Sequence, residues 1–207
     1  MDAKKIFNSL DQIKLSIDQH KDEIEKLDQE IGDGDHIFNI QRGIKESLDL
    51  KDELSDQAPN DVLKKIGMKI MTTVGGSSGA LFSTLLMGMS KKYNEDLSDQ
   101  QNIAKMFSEG VEALKKRGKA DLGEKTMLDV LIPVSNELKK LSDQDDVKNT
   151  AEKIKEVAEK GMLSTKDLIA TKGRASFLGD RAKGHIDPGA RQSQLAIEAI
   201  CNSILNK

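Results

Sequence analysis

Residues 6–31 read IFNSLDQIKLSIDQHKDEIEKLDQEI, and the spacing of apolar residues in this stretch decides the fold class. The apolar positions recur in steps of three, four and seven, with polar residues between them: Ile6, Leu10, Ile13, Ile17, Ile24, Leu27 and Ile31. That rhythm lines up one apolar stripe on a helix of about 3.6 residues per turn. The stretch is therefore predicted to form one long amphipathic helix.

The same rhythm returns over residues 103–114 and 127–141, and no segment alternates with a period of two. Aromatic residues make up only 3% of the chain, so strands have little to be built from. Polar and glycine-rich breaks leave about eight helices; the breaks span residues 32–35, 55–60, 75–79, 94–100, 118–123, 142–145 and 173–189. Short connections favour an antiparallel up-and-down bundle, and we predict an all-α single domain over residues 1–207.

Capping signals mark three helix starts. Ser98 precedes Gln101 by three residues, Ser142 precedes Asp145 by three, and Asp187 comes directly before Pro188. Each pattern is typical of the first turn of a helix.

Charge and cysteine content exclude several classes of function. Lys and Arg total 32 and Asp and Glu total 35, so the net charge is −3 and the signs are mixed, which does not suit a nucleic-acid partner. The single cysteine, Cys201, lies in an apolar run and is interpreted as a buried residue rather than a reactive thiol. With no disulfide framework, no signal-peptide core and no run of 18 apolar residues, a cytoplasmic protein without a membrane partner is expected.

Three aspartates crowd the string LDQEIGDGDH: Asp28, Asp33 and Asp35. Asp28 would project from the last turn of a helix, and Asp33 and Asp35, two residues apart in a glycine-rich turn, would point to the same side. Carboxylates this close repel unless a hard cation lies between them, and the spacing fails the calcium loop of an EF-hand, which favours Mg²⁺ with a phosphate-bearing ligand. A solvated acidic turn is the alternative.

A second string, GGSSG at residues 75–79, precedes an apolar helix. Unsatisfied amides at a helix start and two serine hydroxyls suit a phosphate, although the string matches neither a Walker loop nor G-x-G-x-x-G. A flexible connector with serine caps is the alternative.

A third string, GRASFLGDRAKGHIDPGA at residues 173–190, is rich in glycine and cations. Arg174 is the candidate for bidentate phosphate recognition. The alternative, which is commoner for arginine, is a solvated surface side chain. His36 is a candidate phosphate donor, or else is satisfied by backbone. Met127 and Leu128 could seat a purine, or simply belong to the core.

Four strings together, EIGDGDH with Asn39 behind it, GGSSGALF, GEKTMLD and GRASFLGDRAKGHIDPGA, resemble the signature strings of the dihydroxyacetone kinase L subunit family. They occur in the family's order and spacing and cover almost the whole chain. The resemblance implies an eight-helix antiparallel barrel whose nucleotide binds at one end.

Carried over residue by residue, the resemblance implies that Asp28, Asp33 and Asp35 coordinate two Mg²⁺ ions that bridge the phosphates of ADP or ATP. It assigns no catalytic residue to this chain, since phosphoryl transfer would rest on positioning by metal and Arg174. The nucleotide-binding positions it implies are His36, Ile37, Phe38, Asn39, Ser77, Ser78, Gly118, Met127, Arg174, Asp187, Pro188 and Gly189.

The resemblance also implies partner chains. A separate K subunit would hold dihydroxyacetone, and a phosphohistidine M subunit would recharge bound ADP, as in phosphoenolpyruvate-driven kinases; a homodimer stays open. Alternatives are a subunit that exchanges free ATP or serves another small ketose, and a nucleotide-binding regulator of a transcription factor. A purely structural helical bundle is the remaining alternative. The chain departs from the family pattern at Ile37, Phe38, Ala80 and Ser83, which puts the contacts near the phosphates in question.

Overall fold

The computed structural model describes residues 1–205, and every regular element in that range is helical. The elements are α1 (Ala3–Gln19), α2 (Lys21–Ile31), α3 (His36–Leu48), α4 (Lys51–Leu54), α5 (Pro59–Thr73), α6 (Gly76–Ser90), α7 (Asp99–Gly118), α8 (Leu128–Leu138), α9 (Val147–Ser164), a 3₁₀ helix (Arg174–Ala182) and α10 (Pro188–Leu205). The predicted all-α class is confirmed.

The single long helix predicted over residues 6–31 is interrupted at His20. This residue leaves helical geometry at φ −107° and ψ 16°, and its ring nitrogen Nδ1 lies 2.8 Å from the carbonyl oxygen of Ser16. The apolar stripe continues across the break, because Ile17 and Ile24 pack in the same buried cluster. Apolar spacing therefore identified the buried face but not the point where the axis breaks.

Eight long helices form a closed ring. In order around the ring, α1 contacts α3, α3 contacts α5, each of α5 to α9 contacts the next, and α10 returns to α1. The two-residue connection between α5 and α6 forces these packed neighbours to run antiparallel. The barrel is thus the predicted one. The helix count within residues 1–205 exceeds eight because α2 splits from α1, α4 splits from α3, and a 3₁₀ helix forms where only a loop was predicted.

The helix α2 lies outside the ring and packs against α3, α10 and the 3₁₀ helix. Its buried side chains are Ile24, Asp28 and Ile31. Because α2 ends directly before the aspartate and glycine string, its position sets the position of the acidic turn.

The interior is built mainly from aliphatic side chains. The largest buried cluster joins α6 to α10, and a second one joins α1, α4 and α5. Cys201 lies in the first cluster, so the prediction of a buried cysteine is confirmed. Among residues 1–205 no helix has both the length and the apolar character needed to cross a bilayer.

Two of the three predicted capping signals are observed. The hydroxyl of Ser98 accepts a hydrogen bond from the Gln101 amide at 3.2 Å, and the carboxylate of Asp187 accepts one from the Ala190 amide at 2.8 Å. The third signal was wrong as a helix start: Asp145 accepts from the Ser142 amide in a turn, and Asp146 caps α9 instead. A turn closed by a serine and an aspartate three residues apart has the same sequence signature as a capping box.

The helices α6 and α7 approach each other most closely where both carry glycine. A β-carbon added at Gly110 would lie 2.6 Å from Cγ of Met89 and 2.8 Å from the carbonyl oxygen of Leu85. Such distances cannot be tolerated without movement of the backbone.

We therefore expect Gly110→Ala to lower the free energy of unfolding by about 1–3 kcal/mol, the usual cost of overpacking. Urea denaturation followed by circular dichroism measures it. Gly43→Ala is the control, because a β-carbon there meets only Cγ2 of Val74, at 3.5 Å, and alanine favours the helix. Equal stability of the two variants would contradict the tight α6–α7 contact.

Candidate functional site

One cavity of about 450 Å³ opens at the end of the barrel where the three predicted strings meet. Its wall is formed by the turn between α2 and α3, the start of α6, the loop between α7 and α8, and the segment that leads through the 3₁₀ helix into α10. This volume lies in the range of small-molecule sites.

The carboxylates of Asp28, Asp33 and Asp35 converge on one side of this cavity. One oxygen from each lies within 4.8 Å of the others. Asp28 is buried and accepts a hydrogen bond from the His36 amide at 3.0 Å, whereas Asp33 and Asp35 are exposed. An all-oxygen donor set of this charge fits a hard divalent cation such as Mg²⁺.

Two glycines make the acidic turn. A β-carbon at Gly32 would lie 1.8 Å from Oδ1 of Asp28, so no side chain fits there while Asp28 keeps its place. Gly34 has φ 79°, in the left-handed region that glycine adopts at low cost. The glycines in the sequence string are therefore structural requirements of the cluster.

The start of α6 lies beside the carboxylates. A β-carbon at Gly76 would lie 3.5 Å from Nδ2 of Asn39 and 3.7 Å from Oδ2 of Asp35, and Gly76 itself has φ 73°. No side chain caps α6, and Ser77 and Ser78 line the cavity. The first amides of a helix lack intrahelical partners, so this corner can accept an anion next to the acidic cluster.

Arg174 reaches the same corner from the 3₁₀ helix. Its Nε lies 2.8 Å from Oδ2 of Asp33, and both side chains are substantially exposed. The guanidinium therefore stands between the carboxylates and solvent, in position to contact an anionic ligand held by the cluster.

The opposite side of the cavity is an apolar slot. Gly118, Met127, Pro188 and Gly189 line it, together with Leu81. A β-carbon at Gly189 would lie 3.3 Å from Cε of Met127, so the two predicted strings touch here. An apolar lining suits the faces of a flat ring.

The structure does not bring all predicted site residues into the cavity wall. Ile37 is buried in the core, Phe38 is exposed to solvent, and Asn39 is buried behind Gly76. The reason is that α3 begins at His36, so the following side chains turn around a helix. The first-turn amides of Ile37 and Phe38 are still left without intrahelical acceptors.

His36 does line the cavity, and its Nε2 is buried without a hydrogen-bond partner among the described residues. Burial lowers the pKa of the imidazole, and the charges of Asp28 and Asp35 oppose that effect. A neutral ring with one unsatisfied nitrogen is suited to a polar ligand atom.

Two of the residues that depart from the family pattern, Ala80 and Ser83, lie in different environments. Ala80 lines the cavity, whereas Ser83 is fully buried and its hydroxyl donates to the carbonyl oxygen of Ala80 at 3.0 Å. Ser83 therefore has no direct route to a ligand.

Sequence reasoning missed three cations of the wall: Arg117, Lys125 and Lys172. Arg117 and Lys172 gave no signal, because cations at helix ends are ordinary. Lys125 lies in the string GEKTMLD, but no role was predicted for this residue itself. It is fully buried, an uncommon state for lysine.

Asp187 caps α10 at the edge of the slot. Burial raises the pKa of its carboxyl from 3.8 to about 7, the Ala190 amide and the Lys125 ammonium oppose the rise, and Asp129 adds to it. The folded state therefore holds a proton that the unfolded chain releases between about pH 4 and pH 7, so folding loses stability as pH rises through that window.

We expect Asp187→Asn to remove this dependence, because asparagine caps a helix equally well and does not titrate. Urea denaturation near pH 5 and near pH 8 measures the free energy of unfolding of both proteins. The wild type should lose stability relative to the variant at the higher pH. A constant difference between the two would show that Asp187 stays ionised throughout.

Comparison with known proteins places this site in a family. The DAK2 domain model matches residues 30–202. The chain is 42% identical over 187 residues to the ADP-binding subunit DhaL of the PEP-dependent dihydroxyacetone kinase 1 of Listeria innocua, with 89% of this chain and 88% of that protein covered. It is 39% identical to the corresponding Escherichia coli subunit, with 79% of each covered.

A solved structure is similar in fold. The dihydroxyacetone kinase of C. freundii, in complex with AMP-PNP and Mg²⁺, superposes with a TM-score of 0.73 at 22% identity, covering 95% of this chain and 33% of that one. Fold and site define an all-helical barrel with a carboxylate-lined cavity at one end. This chain belongs to the DAK2 domain family, and its relatives named above are kinase subunits.

Proposed function

We propose that this chain is the ADP-binding subunit of a phosphoenolpyruvate-dependent dihydroxyacetone kinase. The observation that carries the proposal is the meeting, in one cavity, of three carboxylates, an uncapped helix start and an apolar slot. The names of the relatives at 42% and 39% identity support the choice of ADP and of the phosphoenolpyruvate-dependent class.

The phosphate end would be built on Asp28, Asp33 and Asp35, which we propose hold two Mg²⁺ ions. Bound Mg²⁺ would supply neutralisation of the charge that gathers on the phosphoryl oxygens. The spacing of the three oxygens within 4.8 Å supports a shared cation site rather than a solvated turn.

Around that centre, the start of α6 would face the phosphates. Ser77 and Ser78 would donate through amides and hydroxyls, and the ring of His36, which lines the cavity, would lie beside them. Ile37 and Phe38 would contribute through their amides, not their side chains, and Asn39 would support Gly76 from behind. Arg174 would close over the phosphates.

The base would lie in the apolar slot. Gly118, Met127, Asp187, Pro188 and Gly189 would contact the adenine, because all five line the cavity. Glycine at position 189 lets the segment that leads into α10 lie against Met127, since a β-carbon there would be 3.3 Å from Cε of Met127.

Catalysis by this chain would consist of orientation and electrostatics, with no residue forming a covalent intermediate. Dihydroxyacetone would be held by a separate K subunit, and a phosphohistidine on an M subunit would recharge the ADP. We further propose that residues 1–207 form one nucleotide-binding domain that works in the cytoplasm.

The first test is to denature the protein as purified in Mg²⁺, without added nucleotide, and to identify what is released by chromatography. Stoichiometric ADP is expected. An empty protein that binds added ATP weakly would replace the proposal with an ATP-exchanging kinase subunit. A protein that binds no nucleotide would leave only the regulatory or structural alternative.

We expect Asp33→Asn to abolish nucleotide retention and to leave the helical circular dichroism spectrum unchanged, because Asp33 is exposed and packs no core. Asp52→Asn is the charge-matched control, since Asp52 is an exposed carboxylate on α4 outside the cavity wall. Retention of nucleotide by the Asp33 variant would refute the metal bridge.

Arg174→Gln should act in opposite directions on metal and nucleotide. Its guanidinium is paired with Asp33, so its removal should raise the affinity for Mn²⁺ alone, by a few-fold at most for so exposed a pair. The same change should weaken Mg-ADP binding, because a charge-assisted contact to phosphate is lost. Electron paramagnetic resonance of Mn²⁺ and calorimetry with Mg-ADP measure the two effects, and parallel changes would count against the assignment of Arg174.

A further inference from the structure

Lys125 is a buried lysine held by backbone alone. Its side chain is only 1% exposed, and its ammonium donates to the carbonyl oxygens of Thr165 and His185, the latter at 2.6 Å. Among residues 1–205 no carboxylate lies within ion-pair distance of it. A buried ammonium with no directly paired carboxylate is costly unless its hydrogen bonds are made, and here two carbonyl groups accept them.

The two carbonyl groups belong to segments that are distant in sequence. Thr165 follows the last residue of α9, and its hydroxyl accepts a hydrogen bond from the Asp187 amide at 3.1 Å. His185 lies in the segment that leads into α10. The Lys125 ammonium therefore connects the C-terminal end of α9 to the segment that precedes α10.

Lys125 also fixes its own loop. It has φ 60°, an unfavourable conformation for a residue with a side chain, and it lines the cavity directly before Thr126 and Met127. The loop that carries Met127 and the segment that carries Pro188 and Gly189 thus meet through one ammonium group. Both segments line the apolar part of the cavity.

We propose that Lys125 is a positioning residue that holds Met127 in place against the Pro188–Gly189 segment at the apolar slot for the base of the nucleotide, without contacting the phosphates. This inference rests on the proposed function. Burial lowers the pKa of Lys125, while Asp187, Asp167 and Asp129 act to keep it charged. Methionine at this position would fill the same volume but leave both carbonyl groups unsatisfied.

The test compares two ligands that share phosphates and differ in the base. Calorimetry in Mg²⁺, after removal of retained nucleotide, measures the affinity for ADP and for pyrophosphate. Lys125→Met should weaken ADP binding roughly tenfold or more, the effect of about 1.4 kcal/mol, and change pyrophosphate binding by less than about twofold. Lys125→Arg, which can donate to two carbonyl groups, should restore part of the ADP affinity.

The ratio of the two affinities separates positioning from general damage, because unfolded protein would lower the apparent binding of both ligands together. Lys166→Met is the matched control, since Lys166 is exposed and only its carbonyl group bonds across, to the Gly184 amide at 2.8 Å. If Lys125→Met does not fold, Thr165→Val provides a second variant. It removes the hydroxyl that accepts the hydrogen bond of the Asp187 amide, and it should show the same selective loss of ADP affinity.

Equal losses of ADP and pyrophosphate in a Lys125→Met protein that keeps its helical circular dichroism spectrum would overturn the inference and give Lys125 a charge role at the phosphates. An unchanged ratio in Lys125→Met and in Thr165→Val would overturn it as well. If the wild type bound neither ligand, the proposed function would fail, and the inference with it; if the wild type binds ADP, the variants test the inference alone.

Discussion

Like charges gathered at one end of a helical barrel must be compensated, and the arrangement of Asp28, Asp33 and Asp35 governs most of what surrounds them. At separations within 4.8 Å, ionised carboxylates repel one another. The His36 amide and the Arg174 guanidinium offset part of this repulsion. The repulsion that they leave uncompensated favours the binding of a small, highly charged cation.

The helix that carries Asp28 and the turn that follows it are held by side chains from a single part of the chain, residues 174–191. Arg191 binds Glu23 through two nitrogens, at 2.8 and 2.9 Å, and His185 contacts Glu30 at 2.7 Å. Arg174 contacts Asp33. Exposed ion pairs contribute little, but the Arg191 side chain is only 15% exposed and its geometry is bidentate. The helix α2 with its acidic turn is therefore connected directly to the segment that contains Arg174, His185 and Arg191, in addition to its packing on the core.

Sequence patterns predicted the fold and the acidic end of the site well, because both depend on local regularities. Apolar spacing reports which face of a helix is buried, and the string LDQEIGDGDH confines three carboxylates to eight residues. Spacing could not reveal the break at His20, because the apolar stripe continues across it. The family resemblance implied contacts through Phe38, whose side chain is turned into solvent at the start of α3.

Lys125 shows the limit of such reasoning. Its bonds run to Thr165 and His185, 40 and 60 residues further along the chain. Nothing near Lys125 in the sequence distinguishes it from a surface lysine, because its partners are carbonyl groups that every residue possesses. Only the assembled barrel shows why this lysine is buried.

Because α1 and α10 close the ring, the cavity can form only at a defined stage of synthesis. Along these residues the acidic turn is synthesised before the wall that faces it, and the three carboxylates are present once His36 has been added. The wall is not complete until Pro188 and Gly189 have been added and α10 has docked on α1. A nascent chain therefore carries the acidic turn without the cavity behind it until the ring is closed.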